Sequence, residues 1–324
     1  MHVYLNCMTS ETKTLLDINS DCLKLIFYYA PLPHALKLSC KELSTIGPKE
    51  TRTRVSQVVT SVSVLRWARQ NGFCWDWRTC AEAASGGFLE VLSFAFDEGC
   101  DWNDDTCTLA AMGGHLDVVA FARKNGCVFN ACACLMAARG GHMNILEHVY
   151  CKSFGIIDWD HRTCDEAAAC GHLDLLIWLK QKGCPWNSGT CARAALGGHL
   201  HVLQWAYKNG CEWDWETCDH AAQGGHLHVL KWVRENGCEW KSTTTTRAAE
   251  GGHLQTLKWA IGEGCTLNWE DVCPCAARKG HVHILEWIRE TRRDLWDYSE
   301  TEVLRASVRH NQIDVLKWFS NTVY

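Results

Sequence analysis

No stretch of this chain offers the roughly 18 uninterrupted apolar residues that a bilayer span requires. Its first residues carry Asn6, Glu11, Lys13 and Asp17 where a secretory signal would be apolar. The expectation is a soluble, intracellular protein with no membrane partner. An excess of one charge is also missing. With 37 acidic against 32 basic residues and a formal charge of -5, the chain exerts no bulk pull on phosphate backbones, so nucleic acid is a poor partner. Nucleotide and nucleophile motifs are absent as well: there is no G-x-x-x-x-G-K-[ST], G-x-G-x-x-G or G-x-S-x-G, the loops that cradle phosphate or expose a catalytic serine.

Cysteine is abundant instead, at 21 residues. An odd number spread over a long chain without a secretion signal points to reduced thiols rather than a disulfide framework. The 324 residues are 47% hydrophobic, enough for one long array or two ordinary domains.

The dominant feature is a repeat. The stretch G-G-[HF]-[LM] recurs with its third residue at Phe88, His115, His142, His172, His199, His226 and His253, with Cys170 for the first glycine in the copy at His172, at intervals of 27, 27, 30, 27, 27 and 27 residues. Degenerate copies follow at Gly280-His281 and Asn311-Gln312. Around the anchor the unit reads [DN]-x-x-T-C-x-x-A-A-x-G-G-H-L-x-V-L-x-W-x-x-x-x-G-C-x-W, which residues 187–213 follow nearly letter for letter. Asn187 suits an N-cap, Gly197-Gly198 a helix stop, and the run Leu200, Val202, Leu203, Trp205 and Ala206 a second helix that ends at Gly210. Each unit is therefore a helical hairpin.

The cap column holds Asp76, Asn103, Asn130, Asp160, Asn187, Asp214 and Asn268, broken by Lys241. A lone hairpin of this size cannot bury its apolar face, so neighbours must stack. Three ladders supply the spine. The first runs from Leu65 and Leu92 through Leu203 to Leu316, the second from Trp67 and Phe94 through Trp205 to Trp318, the third from Trp75 and Trp102 through Trp213 to Trp296. The fold expected is an all-α solenoid of about ten stacked helix-turn-helix units. They lie near residues 51–75, 76–102, 103–129, 130–159, 160–186, 187–213, 214–240, 241–267, 268–296 and 297–324, behind an N-terminal module at 1–50. Unit four departs from the rest, with His148 in place of an aromatic residue and three extra residues around Cys151-Lys152-Ser153-Phe154, which predicts a local irregularity.

The unit resembles the ankyrin repeat. Thr190-Cys191 is similar to its T-P step, Ala194-Ala195 to its paired alanines, Gly198-His199 to its G-H and Gly210-Cys211 to its G-A. The resemblance covers residues 55–324 but departs in length, 27 residues against the usual 33 or so. Most of the loss falls between G-C and T-C, where ankyrins place a β-hairpin finger, and this predicts almost no strand. The unit also resembles the short tryptophan-rich repeats of ankyrin-like families in giant viruses, some algae and oomycetes. That company implies a cytoplasmic protein, in a host's cytoplasm if the source is viral.

Residues 1–50 lack the repeat. The stretch Ile18-Asn19-Ser20-Asp21-Cys22-Leu23-Lys24-Leu25-Ile26-Phe27, followed by Leu36-Lys37-Leu38-Ser39-Cys40-Lys41-Glu42-Leu43, is similar to an F-box. Asn19 stands where that family has proline and Leu43 where it has tryptophan. The resemblance implies contact with a Skp-type adaptor of a cullin ubiquitin ligase through Leu23, Ile26, Phe27, Leu36, Leu38 and Leu43. The alternative is a helical cap that shields the apolar end of a solenoid.

Recurring histidine and cysteine raise the question of metal. Zinc sites group ligands as C-x₂₋₄-C or H-x₃₋₅-H, whereas the unit offers one cysteine near a helix start, a histidine eight residues on and a second cysteine beyond the next helix. That order separates the ligands, and no metal or cofactor is expected. Cysteine is a small, readily buried residue, and the histidine column suits a bond to a loop carbonyl or the start of the second helix. A site copied in every unit does not mark one reaction centre, so the chain is expected not to be an enzyme.

Function is left to positions that vary on the fixed scaffold. They are the residues after the cap, Trp77, Arg78, Asp104, Asp105, His161, Arg162, Trp215, Glu216, Trp269 and Glu270, and the residues after Ala-Ala, Met112, Arg139, Leu196, Gln223 and Glu250. Trp77, Trp215 and Trp269 stand off the core ladders; tryptophan beside arginine or acid is characteristic of interface hot spots, and packing against the next unit is the competing role. The expectation is a monomeric module that binds a protein on its concave face. It acts either as the substrate receptor of a ubiquitin ligase or as a stand-alone scaffold or decoy.

Overall fold

A computed structural model describes residues 59, 61–70, 75–153, 155 and 157–322. The adaptor-contact residues Leu23, Ile26, Phe27, Leu36, Leu38 and Leu43 lie outside the described residues. Among the described residues nineteen helices follow one another and no β-strand is present. The chain is an all-α solenoid built in two compact units that divide between Ala133 and Cys134.

The first unit holds α1 (Val62–Gln70), α2 (Trp77–Ser85), α3 (Leu89–Asp97), α4 (Asp104–Gly113) and α5 (Leu116–Lys124). The division falls within α6 (Ala131–Arg139). The second unit continues with α7 (Met143–Lys152), α8 (His161–Ala169), α9 (Leu173–Gln181), α10 (Ser188–Leu196), α11 (Leu200–Lys208), α12 (Trp215–Gln223) and α13 (Leu227–Glu235). It ends with α14 (Ser242–Gly251), α15 (Leu254–Gly262), α16 (Trp269–Lys279), α17 (Val282–Thr291), α18 (Arg293–Arg309) and α19 (Ile313–Thr322).

Within each unit the first helices of successive repeats pack directly on one another: α2 on α4, then α8 on α10, α10 on α12, α12 on α14, α14 on α16 and α16 on α18. The paired alanines make this close approach possible, and Ala194, Ala195, Ala221 and Ala222 are fully buried in the layer. Helix starts follow the sequence. All seven Asx residues of the column accept a backbone amide, from Arg78 on Asp76 at 2.9 Å to Glu270 on Asn268 at 3.2 Å. Each such cap contributes about 1 kcal/mol.

The leucine ladder is the buried spine, with Leu92, Leu176, Leu203, Leu230, Leu257 and Leu285 fully enclosed. At the C-terminal end Leu316 is half-buried, while Val315 and Phe319 take the buried places. The aromatic ladders are not part of that spine. Phe94, Phe121, Trp205, Trp232, Trp259 and Trp287 are half-buried, and among the described residues of the two columns only Phe129, Trp178 and Trp296 fall below a tenth exposed. Their rings meet edge-on between one repeat's G-C-x-W residue and the next repeat's second helix. Trp213 and Trp232 have centroids 5.6 Å apart, and Trp186 and Trp205 5.8 Å. Rings this large do not interdigitate beneath the leucines; they close the outer edge of the layer, a geometry that aromatic pairs favour.

The residue six positions before each such tryptophan covers its free face. Arg69 lies 4.3 Å over Trp75, Lys180 4.0 Å over Trp186 and Arg234 4.1 Å over Trp240, while Phe96 and Tyr207 stack on Trp102 and Trp213 at 4.3 and 3.8 Å. Trp296 departs from its expected loop position. No Gly-Cys precedes it, and it lies inside α18. The irregularity in unit four is absorbed locally. Helix α7 runs to Lys152, Gly155 supplies the left-handed turn with φ of 82°, and Tyr150 moves onto Trp159.

Histidine joins the hairpins. Nε2 of His115 lies 3.1 Å from the Ser85 carbonyl oxygen, Nε2 of His172 3.1 Å from that of Arg139, and Nε2 of His281 3.0 Å from that of Glu250. His199, His226 and His253 make the same bond to the carbonyls of Ala169, Leu196 and Gln223. A carbonyl only accepts, so Nε2 carries the proton. Burial holds these last three rings below the usual histidine value, which keeps them neutral at pH 7. The terminal copy uses another residue for the same bond: Gln312 Nε2 donates to the Arg278 carbonyl at 2.7 Å, and Asn311 takes the glycine's left-handed turn with φ of 54°.

The glycine pair is more than a helix stop. Gly197 has an ordinary φ of -78°, yet a Cβ there would run into the Ala169 carbonyl of the preceding repeat. Gly210 is the reverse case, with φ of 82° and open space around it. Gly197→Ala is expected to cost about 3 kcal/mol by overpacking, and Gly210→Ala about 1 kcal/mol by backbone strain alone. Urea unfolding of the two variants checks the order; equal losses would contradict the joint.

Candidate functional site

The residues that follow each cap stand in the first turn of the first helix, with the backbone held down by the cap. In the first unit Trp77, Arg78, Asp104, Asp105 and Met112 are exposed, Trp77 at 39% and Met112 at 44%. The Arg78 guanidinium lies 5.4 Å from the Trp77 ring centroid and 3.6 Å from the Asp76 carboxylate. Asn103 donates to Asp105 at 3.0 Å, and Asn130 to Asp104 at 3.4 Å. The result is an aromatic ring and a cation on one repeat with a carboxylate pair on the next.

The second unit distributes the expected residues differently. His161, Arg162, Glu216 and Glu270 are exposed. Arg162 folds back onto its own cap, with Nη2 at 2.7 Å from Asp160 Oδ2 and Nε at 2.9 Å, and holds that carboxyl below the usual value. Arg139 is exposed, 4.0 Å from Glu166. Glu250 is the centre of an ion-pair cluster, with Arg247 at 2.8 Å, Arg278 at 3.6 Å and Lys279 at 4.0 Å. Leu196 and Gln223 are half-buried, and their carbonyls accept the inter-repeat histidine bonds.

Trp215 and Trp269 are half-buried, each under a cation from further along the chain: Lys241 Nζ at 3.8 Å from the Trp215 centroid and Arg292 at 5.2 Å from the Trp269 centroid. This accounts for the break in the cap column. Lys241 makes no side-chain cap; its ammonium covers Trp215 instead. Trp269 and Glu270 come together in a groove of about 600 Å³ whose other walls include Leu267, Pro274 and Ser299.

The chain matches no family model and no curated protein.

Three features escaped the sequence reading. One corrects it. The two cysteines of a repeat, kept apart by their order in the chain, meet in space: Cys218 Sγ is 3.4 Å from Cys238 Sγ. Cys80 and Cys100, Cys107 and Cys127, Cys164 and Cys184, and Cys191 and Cys211 stand in the same register, and the thiols of Cys80 and Cys191 point at the Cys100 and Cys211 carbonyls at 4.0 and 3.8 Å. The helical turnaround between the two positions closes the gap, and a constant 20-residue offset between T-C and G-C was the available signal. Among the described residues no group of three or more His, Cys, Asp or Glu side chains converges.

The second feature is the role of the G-C cysteine. Its thiol donates to the carbonyl of the repeat's own cap residue, at 3.2 Å from Cys211 to Asn187 and 3.2 Å from Cys238 to Asp214. An alanine in that place would fill the space without the donor.

The third is a buried carboxyl pair with no counterpart in the other repeats. Asp165 accepts the Thr190 hydroxyl of the next repeat at 2.6 Å, and Asp219 that of Thr244 at 2.6 Å. In the repeat between them Ala192 stands in the aspartate's register, and the buried Thr217 hydroxyl has no partner among the described residues. Burial raises both carboxyls above their usual value, opposed chiefly by the threonine bonds.

For a carboxyl raised on folding, the stabilising contribution is full below its unfolded value and is lost as pH rises through the folded one. Asp219→Asn keeps an acceptor for Thr244 and removes the buried charge. The variant is expected to gain on the order of 1 kcal/mol over the parent at pH 7.5 and to lose that advantage near pH 4. Paired urea melts at the two pH values measure this, and an asparagine variant less stable than the parent at both would contradict the assignment.

Proposed function

We propose that the chain is a protein-binding arm rather than an enzyme. The observation that carries this is a division of labour along the first helices of the first unit. The threonine, cysteine and alanine positions are buried and common to the repeats, while Trp77, Arg78, Asp104, Asp105 and Met112 change from repeat to repeat and face outward. A rigid backbone beneath exposed aromatic, cationic and acidic groups is the arrangement that protein interfaces use, with tryptophan and arginine as anchors.

The resemblance of the repeats to ankyrin units and of the module at residues 1–50 to an F-box supports a finer reading. In it the repeats select a target, and the N-terminal segment delivers it to a cullin-type ubiquitin ligase through a Skp-type adaptor. The departures at Asn19 and Leu43 favour a second reading, in which the arm sequesters its partner without a ligase. Either role suits a monomer in the cytoplasm, and among the described residues no helix is long and apolar enough to cross a membrane.

Full-length chain immobilised with a Skp-type adaptor in solution separates the two. The ligase reading expects retention that the Ile26→Ala, Phe27→Ala double variant abolishes; no retention by the parent removes it. For the arm itself, a partner captured from the native cell is expected to bind the Trp77→Ala, Arg78→Ala variant at least about 30-fold more weakly, with an unchanged melting temperature. Binding equal to the parent's, or a melt that falls in step with affinity, would overturn the assignment of these residues to the interface.

A further inference from the structure

Cysteine recurs here in a pattern that packing alone does not demand. Five repeats carry a thiol in the first turn of the first helix and another just after the second helix, always 20 residues apart, and in the pair Cys218 and Cys238 the two sulfurs are in contact. In the one pair that serves as a measure the sulfurs stand 3.4 Å apart, and a disulfide requires about 2.05 Å. We propose that these pairs are sites of reversible oxidation, each closed by a peroxide-class oxidant into a disulfide within its own repeat.

The chemistry balances without any other reagent. A thiolate attacks the peroxide O–O bond and becomes a sulfenic acid as one oxygen leaves as hydroxide. The second thiol of the pair then attacks the sulfenic sulfur, the S–S bond forms, and water leaves. Over both steps two thiols lose two hydrogens, one peroxide is reduced, and two waters result.

The backbone tolerates the loss of both S–H groups. In the reduced state the G-C thiol donates to the cap residue's carbonyl, but that oxygen also accepts a helix amide, Thr217 N on Asp214 O at 3.0 Å and Thr79 N on Asp76 O at 2.9 Å. Closing the pair leaves no orphaned acceptor. Attack begins at the G-C member: Cys238 accepts the Cys218 thiol's hydrogen, and Cys100, Cys127, Cys211 and Cys238 are held below the usual thiol value by the neighbouring thiol. It is also the more open of the two: Cys100 is 7% and Cys127 8% exposed, against complete burial of Cys80 and Cys107. Cys184, Cys211 and Cys238, at 1–2%, must wait for their repeat to open. The bond ties the start of one helix to the end of the next, so a closed repeat cannot open by separating its hairpin.

The chain carries its own controls. Thr245 stands where other repeats carry the T-C cysteine, 20 residues before Cys265, and its hydroxyl bonds the Thr266 carbonyl at 3.2 Å, so Cys265 has no partner thiol at the paired position. Full-length protein exposed to a graded series of hydrogen peroxide, alkylated and digested without reduction is read by mass spectrometry. The expected cross-links are Cys80–Cys100 and Cys107–Cys127 first, then Cys164–Cys184, Cys191–Cys211 and Cys218–Cys238. Cys265 is expected to stay outside every intramolecular disulfide, and dithiothreitol to restore all the thiols. Oxidised protein is expected to melt at a higher temperature than reduced protein. Recovery of the five pairs as alkylated free thiols after exposed Cys132 and Cys151 have reacted would overturn the proposal, as would cross-links that join different repeats or different chains.

Discussion

The ring of His226 lies where two glycines leave room for it, beside Gly224 of its own repeat and over Gly198 of the one before, and its Nε2–H reaches back to the Leu196 carbonyl. Three demands meet at this point. The first helix must stop, its last carbonyls must find donors, and the next hairpin must approach closely enough for its alanines to pack. A single Cβ in the wrong place breaks the approach, and a ring without a donor leaves a carbonyl unpaired. The same joint recurs within each unit, and the rest of the architecture is arranged around it. Leucines fill the space beneath, tryptophans close the outer edge, and the first helices press together because nothing bulky stands between them.

The polar groups that such close stacking buries are satisfied by a small, repeated set of side chains. Asx residues take the free amides at helix starts, histidines the free carbonyls at helix ends, and the G-C thiols a second bond to the cap carbonyl. A buried polar group without a partner costs about 1–3 kcal/mol, so these columns are fixed by physics that recurs every 27 residues. Where the set is incomplete the chain improvises. Gln312 replaces the ring with an amide, and Lys241 gives up capping to cover Trp215. Asp165 and Asp219 provide acceptors for buried threonines, at the expense of a desolvated carboxyl. Positions outside this set, such as Trp77 and Met112, are the ones that differ between repeats.

Much of this was legible in the residue order. The period, the hairpin, the Asx caps and the leucine spine follow from spacing and from what a helix terminus needs, and all are present. What spacing does not carry is distance across a turn. The cysteines looked separated because chain order counts residues, whereas a helical hairpin returns the chain to its starting level. The tryptophan columns looked like core because periodicity marks a face of a helix without telling how deep that face lies. Gly197 looked like a helix stop because its neighbour Gly198 is one. The need for its missing Cβ arises only against the preceding repeat. The ion-pair cluster on Glu250 had the same cause, since Arg278 belongs to the next repeat.

A stack held by repeated joints is stable to the degree that each joint is intact, and a binding surface laid across it is only as rigid as those joints. The chain itself names the experiment, because its last copy already uses glutamine where the others use histidine. His226→Gln and His226→Ala, compared by urea unfolding, isolate the donor from the ring. If the bond to the Leu196 carbonyl holds the hairpins together, the glutamine variant stays within about 0.5 kcal/mol of the parent while the alanine variant loses about 1–3 kcal/mol. An alanine variant as stable as the parent, or a glutamine variant as damaged as the alanine one, would show that the stack does not depend on that bond.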